Sequence, residues 1–295
     1  MHKIFNYALL MSALVTTAHA TELSGTMKKI KDTGVVTIGY RESSIPFSYL
    51  DDQQKPIGYA IDLCHEVVED IKQTLHLPHL QVKLNPVTSQ TRIPLMVNGT
   101  VDLECGSTTN SIERQKQVSF SHSYYVTAVK ILAKADAGIK ELADLAGKTV
   151  VTTTGTTSDR YIKEYMQDKN ISIKSVYGKD HAESFLMVDS DRADAFVMDD
   201  VLLAGLRANA KNPKAYVIVG TALSVEPYGI MMRKNDSQLK KVADTTLARL
   251  MKSGEATRLY NKWFTQPIPP KGVNLQLPMS MELKAAFAQP TDKGI

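Results

Sequence analysis

Cysteine is scarce. Two residues in 295 are too few for a disulfide-stapled scaffold or a four-cysteine zinc site. No block of five or six like charges occurs, so the clustered basic surface that nucleic-acid binding needs is missing. Gly-x-Gly-x-x-Gly, His-Glu-x-x-His and Gly-x-Ser-x-Gly are all absent, which removes the dinucleotide, zinc-hydrolase and serine-hydrolase signatures. Gly147-Lys148-Thr149 resembles the end of a phosphate-binding loop, but the position where that motif requires its first glycine is Leu142. His76 and His79 flank Pro78 without a third ligand nearby and read as a solvated loop, so no metal is expected. There is no low-complexity tract and no clear repeat. After residue 20 no apolar run approaches the roughly 20 residues of a membrane-spanning helix.

What is present is ordinary for a globular chain: 43% hydrophobic and 22% charged residues, with a net charge of +4. The length favours about two domains of roughly 150 residues. Met1-His2-Lys3, an apolar stretch from Tyr7 to Val15 broken only by Ser12, and Ala18-His19-Ala20 read as a cleavable signal peptide over residues 1–20. Removing it takes away Lys3 and leaves an exported, soluble chain of charge +3. Thr21 follows the cleavage site where a lipid anchor would need cysteine. Export permits a disulfide. Cys64 falls on an expected helix and Cys105 on an expected strand, so they are either bonded or simply core residues. Asn98-Gly99-Thr100 and Asn170-Ile171-Ser172 match the N-glycosylation pattern, one that arises often by chance.

Strands and helices alternate. Residues 34–40 form a glycine-bounded apolar strand, and 58–72 place Ile61, Cys64, Val67, Val68 and Ile71 at helical spacing. A strand at 80–84, a short helix at 91–98 and a strand at 101–105 complete a βαβαβ unit. A second unit reads as strand 125–133, short helix 139–146, strand 149–153, helix 159–166, strand 172–177, helix 184–191 and strand 195–198. A strand at 230–234 and helices at 239–253 and 255–264 follow. Pro267-Ile268-Pro269-Pro270 is expected to end regular structure. Such alternation points to an α/β architecture with mostly parallel sheets.

Function concentrates at two strand ends. Cys105-Gly106-Ser107-Thr108-Thr109-Asn110-Ser111-Ile112-Glu113-Arg114 runs from a strand into small hydroxylic residues and then an arginine. Ligands bind beyond strand C-termini in open α/β sheets, and arginine offers a bidentate fork to a carboxylate. Thr152-Thr153-Thr154-Gly155-Thr156-Thr157-Ser158-Asp159 also follows a strand and opens a helix, a place that favours anions. A solvated turn in the first case and plain N-capping in the second describe the same residues.

These segments, with Tyr40 to Tyr49, Thr88 to Leu95, Lys179-Asp180-His181, Phe196 to Asp200, Ser253-Gly254-Glu255 and Lys262-Trp263-Phe264, run in order across nearly the whole mature chain. Together they resemble the extracytoplasmic solute-binding proteins of polar amino-acid ABC importers, the glutamate/aspartate-binding members above all. The resemblance implies the two-lobed type II periplasmic-binding-protein fold, with two crossover hinge strands and a ligand cleft between the lobes. Lobe one then maps to 21–125 with 231–295, and lobe two to 126–230.

By that resemblance Arg114, Ser107 and Thr109 clamp the ligand α-carboxylate, and Thr156 and Thr157 add donors from lobe two. Asp199 accepts the α-ammonium. Arg41, Arg92, His181 and Ser89 face the side-chain carboxylate. Counting charges, two anionic groups and one cationic group on the ligand meet Arg41, Arg92, Arg114 and Asp199, which favours L-glutamate or L-aspartate. Burial of His181 beside a carboxylate is expected to raise its pKa. The implied role is periplasmic delivery of ligand to an ABC permease by hinge closure, as a monomer without cofactor. Three alternatives stay open: a glutamine or asparagine receptor, a sensor subunit reporting to a membrane receptor, and a dehydratase-like enzyme on the same fold using Glu104 or Asp180 as general acid.

Overall fold

The strand Val35–Tyr40 is the first element of a five-stranded sheet and its organising centre. It pairs in parallel with Gln81–Pro86 on one side and Leu103–Cys105 on the other. Met231–Arg233 returns from late in the chain to extend this sheet antiparallel to Leu103–Cys105, and Val118–Phe120 closes the edge. The helix Tyr59–Leu75 buries Leu63, Cys64, Val67, Val68 and Ile71, the stripe its periodicity requires. A disulfide joins Cys64 on that helix to Cys105 at a strand end, so the pairing left open above is resolved as bonded. The computed structural model describes residues 22–295; the expected signal peptide lies outside them.

The second sheet orders its strands Lys174–Gly178, Thr149–Thr153, Ala195–Asp199, Tyr125–Lys134, Tyr216–Val219. The ten-residue strand Tyr125–Lys134 does two jobs. Its later half pairs with Ala195–Asp199 and Tyr216–Val219 inside the sheet, while its first four residues pair antiparallel with Val225–Tyr228. That antiparallel pair carries the chain out of the first sheet and back to it.

An aromatic cluster roots the pair. Tyr125 and Tyr228 pack with Phe47 at ring-centroid distances of 4.8 and 5.2 Å, and Tyr125 stacks on Phe264 at 5.1 Å. Phe264 belongs to Glu255–Phe264, whose Trp263 lies edge-on to Tyr49 and donates its indole N–H to Asp62 at 2.7 Å. Tyr49 and Asp62 are part of the chain around the first sheet, so the crossovers are packed most firmly on that side.

Four local expectations change. The helix expected at 139–146 is a single 3-10 turn, Leu142–Leu145, because Gly138 and Gly147 adopt positive φ on either side and leave no room for a full α-helix. An unanticipated helix, Asp200–Asn209, buries Val201, Leu202, Leu203, Ala204 and Leu206 in near-continuous sequence, so it shows no amphipathic period. Another, Gly25–Thr33, precedes the first strand. Regular structure also continues past Pro270: Pro267–Ile268 pairs with Val273–Asn274, and Ser280 caps the helix Met281–Ala288. The final residues then bond to the 109–123 segment through Ile295 N–H to Asn110 O (3.2 Å), Ile112 N–H to Ile295 O (2.8 Å) and Ser123 N–H to Thr291 O (2.9 Å).

Candidate functional site

The C-terminal ends of the first sheet's parallel strands deliver three arginines to one place. Arg41 follows Val35–Tyr40 directly and is 1% exposed. Its backbone N–H is held by Ser48 Oγ at 2.8 Å, and its Nη2 donates to Ser89 Oγ at 2.8 Å. Arg92 opens the helix Arg92–Val97 and donates Nη1 to Thr108 Oγ1 at 2.6 Å; Thr108 in turn donates to Glu104 Oε2 at 2.6 Å. Arg114 lies on the short helix Ile112–Gln115, capped by Ser111. It donates to Thr109 O at 2.9 Å and, across the cleft, to Gly155 O at 3.3 Å.

Every protein partner of these guanidiniums is neutral, and Arg41 Nη1 and Arg92 Nε have none. Burial, then the field of Arg92, lowers Arg41 to about 10 and Arg114 to about 9. Both remain cationic at neutral pH.

Gly106 is required where these groups converge, since a Cβ there would stand 2.5 Å from Glu104 Oε1 and 2.7 Å from Arg41 Cγ. Gly155 is required on the opposite wall. It holds φ +80°, and a Cβ would approach Gln90 Cα to 2.8 Å. The two walls therefore meet backbone to backbone at this point.

The second sheet supplies the facing residues. Thr156 caps Thr157–Lys169, His181 begins His181–Asp189, and Asp199 ends its strand. His181 Nε2 lies 3.3 Å from Arg41 Nη2 and Nδ1 lies 3.0 Å from Thr153 Oγ1. A guanidinium only donates, so Nε2 is the acceptor and Nδ1 carries the hydrogen toward Thr153. Burial first, then Arg41 and Arg92, push the His181 pKa well below its ordinary value. Here arginines surround the ring, and neutral His181 accepts from Arg41; the expected rise concerns a ring beside the ligand's carboxylate.

Asp199 is 2% exposed; Oδ2 accepts from the Tyr228 hydroxyl, while Oδ1 has no partner. Burial, then Glu226, raises its pKa well above the usual carboxylate range.

Between the walls lies a small cavity of about 10 Å³ lined by Ser89, Arg92, Ser107, Thr109, Thr156, Thr157, His181, Met198 and Asp199. Of the ten residues expected from the sequence, Arg41 and Arg114 alone stand outside this lining. Arg41 touches the lining residues Ser89 and His181, and Arg114 the Thr109 carbonyl.

Four of the hydroxyls expected at the ligand are bonded within the protein. Ser107 donates to Ser44 Oγ (3.2 Å), Thr156 to Thr153 O (2.7 Å), and Thr109 and Thr157 both to Glu226 Oε2 (2.5 and 2.8 Å). Each has committed its single hydrogen. Ser89, which accepts from Arg41, keeps its own. The helix Thr157–Lys169 begins on this wall, its first backbone N–H groups lacking intrahelical partners, with that of Asp159 taken by Thr156 Oγ1.

Sequence reasoning missed Glu226, Tyr228 and Met198. Of the proposed acids, Asp180 caps its own helix by accepting from Glu183 N–H at 2.9 Å. Glu104 serves the Thr108–Arg92 relay and keeps Oε1 unpartnered.

The profile of the bacterial extracellular solute-binding proteins, family 3, matches residues 36–266. A Pseudomonas aeruginosa protein named L-glutamate/L-aspartate-binding protein is 55% identical over 287 residues, covering 97% of this chain and 94% of its own. An Escherichia coli K12 protein named glutamate/aspartate import solute-binding protein is 48% identical, covering 98% and 96%. Among solved structures, a mutant of the Thermotoga maritima protein ArgBP superposes with a TM-score of 0.73 at 30% identity, over 81% of this chain and 99% of that one. The fold is the two-lobed type II periplasmic-binding-protein fold.

Proposed function

The chain belongs to the bacterial extracellular solute-binding proteins of family 3, and from that premise we propose that it binds L-glutamate and L-aspartate between its lobes. It delivers them to the membrane permease of an ABC importer. One observation carries the choice of ligand: a small buried cavity lined by Arg92 with its Nε unpartnered and by Asp199 with its Oδ1 unpartnered, and backed by Arg41 with its Nη1 unpartnered. An acidic amino acid has the two anionic groups and the one cationic group that such a border lacks. The names of the relatives point the same way.

The charge count needs amendment. Arg41, Arg92 and Arg114 face Glu104 and Glu226 as well as Asp199. Asp199, with its raised pKa, is the group most easily neutralised in the empty site. Glutamine would leave a buried guanidinium without an anion, which is costly, and a basic ligand would be repelled.

In this reading lobe one comprises 21–125 and 231–295, lobe two 126–230, and the antiparallel pair at Tyr125 and Tyr228 is the hinge. Arg41, Ser89, Arg92, Ser107, Thr109 and Arg114 serve from lobe one; Thr156, Thr157, His181 and Asp199 serve from lobe two. Ligand touching both lobes binds the closed form better and shifts the population toward it. The protein acts in the periplasm as a monomer, without cofactor and without chemistry on its ligand.

Isothermal titration of the ligand-stripped protein with glutamate, aspartate, glutamine and histidine tests this. One-to-one binding of the two acidic ligands, with glutamine at least about tenfold weaker, is expected from one lost charged hydrogen bond of roughly 1.5–3 kcal/mol. A preference for glutamine would overturn the roles given to Arg41 and Arg92.

A further inference from the structure

Glu226 occupies the crossover strand Val225–Tyr228, opposite Thr127, and is fully buried. It is the point where hydroxyls of both lobes meet. Its Oε2 accepts from Thr109, on the loop after the first sheet, and from Thr157, on the first turn of a helix after the second. Its Oε1 accepts from Ser224 Oγ at 3.2 Å. A threonine hydroxyl has one hydrogen and two lone pairs. With both hydrogens committed to Glu226, Thr109 and Thr157 offer the cavity only acceptors. Because they share one carboxylate oxygen, the two hydroxyl oxygens lie close together. Asp199 lines the same cavity with its unpartnered Oδ1. Three side-chain acceptors therefore gather at this end, beside Arg114, whose Nη1 is held by the Thr109 carbonyl.

We propose that Glu226 is a positioning residue for the ligand's ammonium group: it fixes the hydroxyls of Thr109 and Thr157 as acceptors, so that they and Asp199 together form a cation-selective subsite. The proposal rests on the reading of the cavity as an acidic-amino-acid site and deepens it. It reassigns Thr109 and the Thr157 hydroxyl from the carboxylate to the ammonium, and it gives the hinge strand a part in recognition. Since each hydroxyl comes from a different lobe, the arrangement completes itself only when the lobes are closed.

The test is a mutant cycle on glutamate affinity, measured by calorimetry with Glu226→Gln, Thr109→Val/Thr157→Val, and all three changes together. Glu226→Gln alone is expected to weaken glutamate at least about tenfold, the loss of one charge-assisted interaction. In the double-valine background the same change should cost less than about threefold, because the groups through which Glu226 acts are gone. Equal losses in both backgrounds would overturn the proposal and make Glu226 a structural hinge residue. Competition with glutarate, which keeps both carboxylates and lacks the ammonium, gives a second readout: Glu226→Gln should spare it. If Glu226→Gln does not fold, Thr109→Ser against Thr109→Val decides. Serine must retain glutamate binding and valine must lose it, and equal behaviour sinks the idea. Failure of the wild type to bind either acidic amino acid would strike the underlying function instead.

Discussion

The two walls of the cleft are built on different principles. The first-sheet wall holds three buried arginines, each braced by neutral oxygens: Ser89 for Arg41, Thr108 for Arg92, the Thr109 carbonyl for Arg114. A disulfide pins the strand end beneath them, and the last residues of the chain bond to Asn110, Ile112 and Ser123. The second-sheet wall contributes no cation. It brings a neutral histidine, a carboxylate and a helix N-terminus. In the function proposed above, the first wall is the charge filter and the second supplies fit and closure. Preorganised charge is effective because it need not be rearranged when the partner arrives. The comparison predicts that damage to the first wall costs most.

Arg92→Met should produce the largest loss. It removes a guanidinium from the cavity lining and leaves a buried ligand carboxylate without that counter-charge, a situation worth about 3–5 kcal/mol. Calorimetry should show glutamate affinity down by at least about a hundredfold; a loss under tenfold would mean that the first wall is not the filter.

Asp199→Asn should come next, at roughly ten- to a hundredfold. It also changes the pH profile. The empty-site pKa of Asp199 is raised, so below it a proton must leave when the ammonium binds. Wild-type affinity should therefore fall as pH is lowered through that raised pKa, and the asparagine variant should stay flat over the same range. A profile shared by both would assign the proton elsewhere.

Gly155→Ala probes contact between the walls. It forces an alanine into positive φ and against Gln90, a strain of about 1–3 kcal/mol. Affinity should drop about tenfold, and X-ray scattering with saturating glutamate should show a larger radius than wild type. An unchanged radius would show that the walls close without this approach.

His181→Gln should do least, under about fivefold. The amide oxygen can accept from Arg41 as Nε2 does. Because His181 is neutral, its replacement should leave the profile between pH 6 and 8 unaltered, and a histidine-dependent step in that range would contradict the assignment.

Much of this was legible in the sequence, and the residues show why. Arg41, Ser107, Arg114 and Thr156 follow strands whose apolar runs are local, so their position at a sheet end could be read directly. Glu226 could not be found that way. Its burial depends on Thr109 and Thr157, 117 and 69 positions away, and a lone acid on a short strand looks like a solvent-facing residue. Asp200–Asn209 escaped because a helix buried on all sides has no polar stripe. Met281–Ala288 fully buries Leu283 alone, too weak a signal to stand out after a proline-rich stretch.

The aromatic cluster has an optical consequence. Trp263 is the chain's one tryptophan. It is fixed by Asp62 and Tyr49 on the same side as Phe264, against which the crossover tyrosines pack. With the lobe closure proposed above, the indole sits in the stator of the machine, away from the moving jaw. Its emission should scarcely register ligand arrival, and a useful fluorescent reporter of this protein would have to be grafted onto the second lobe.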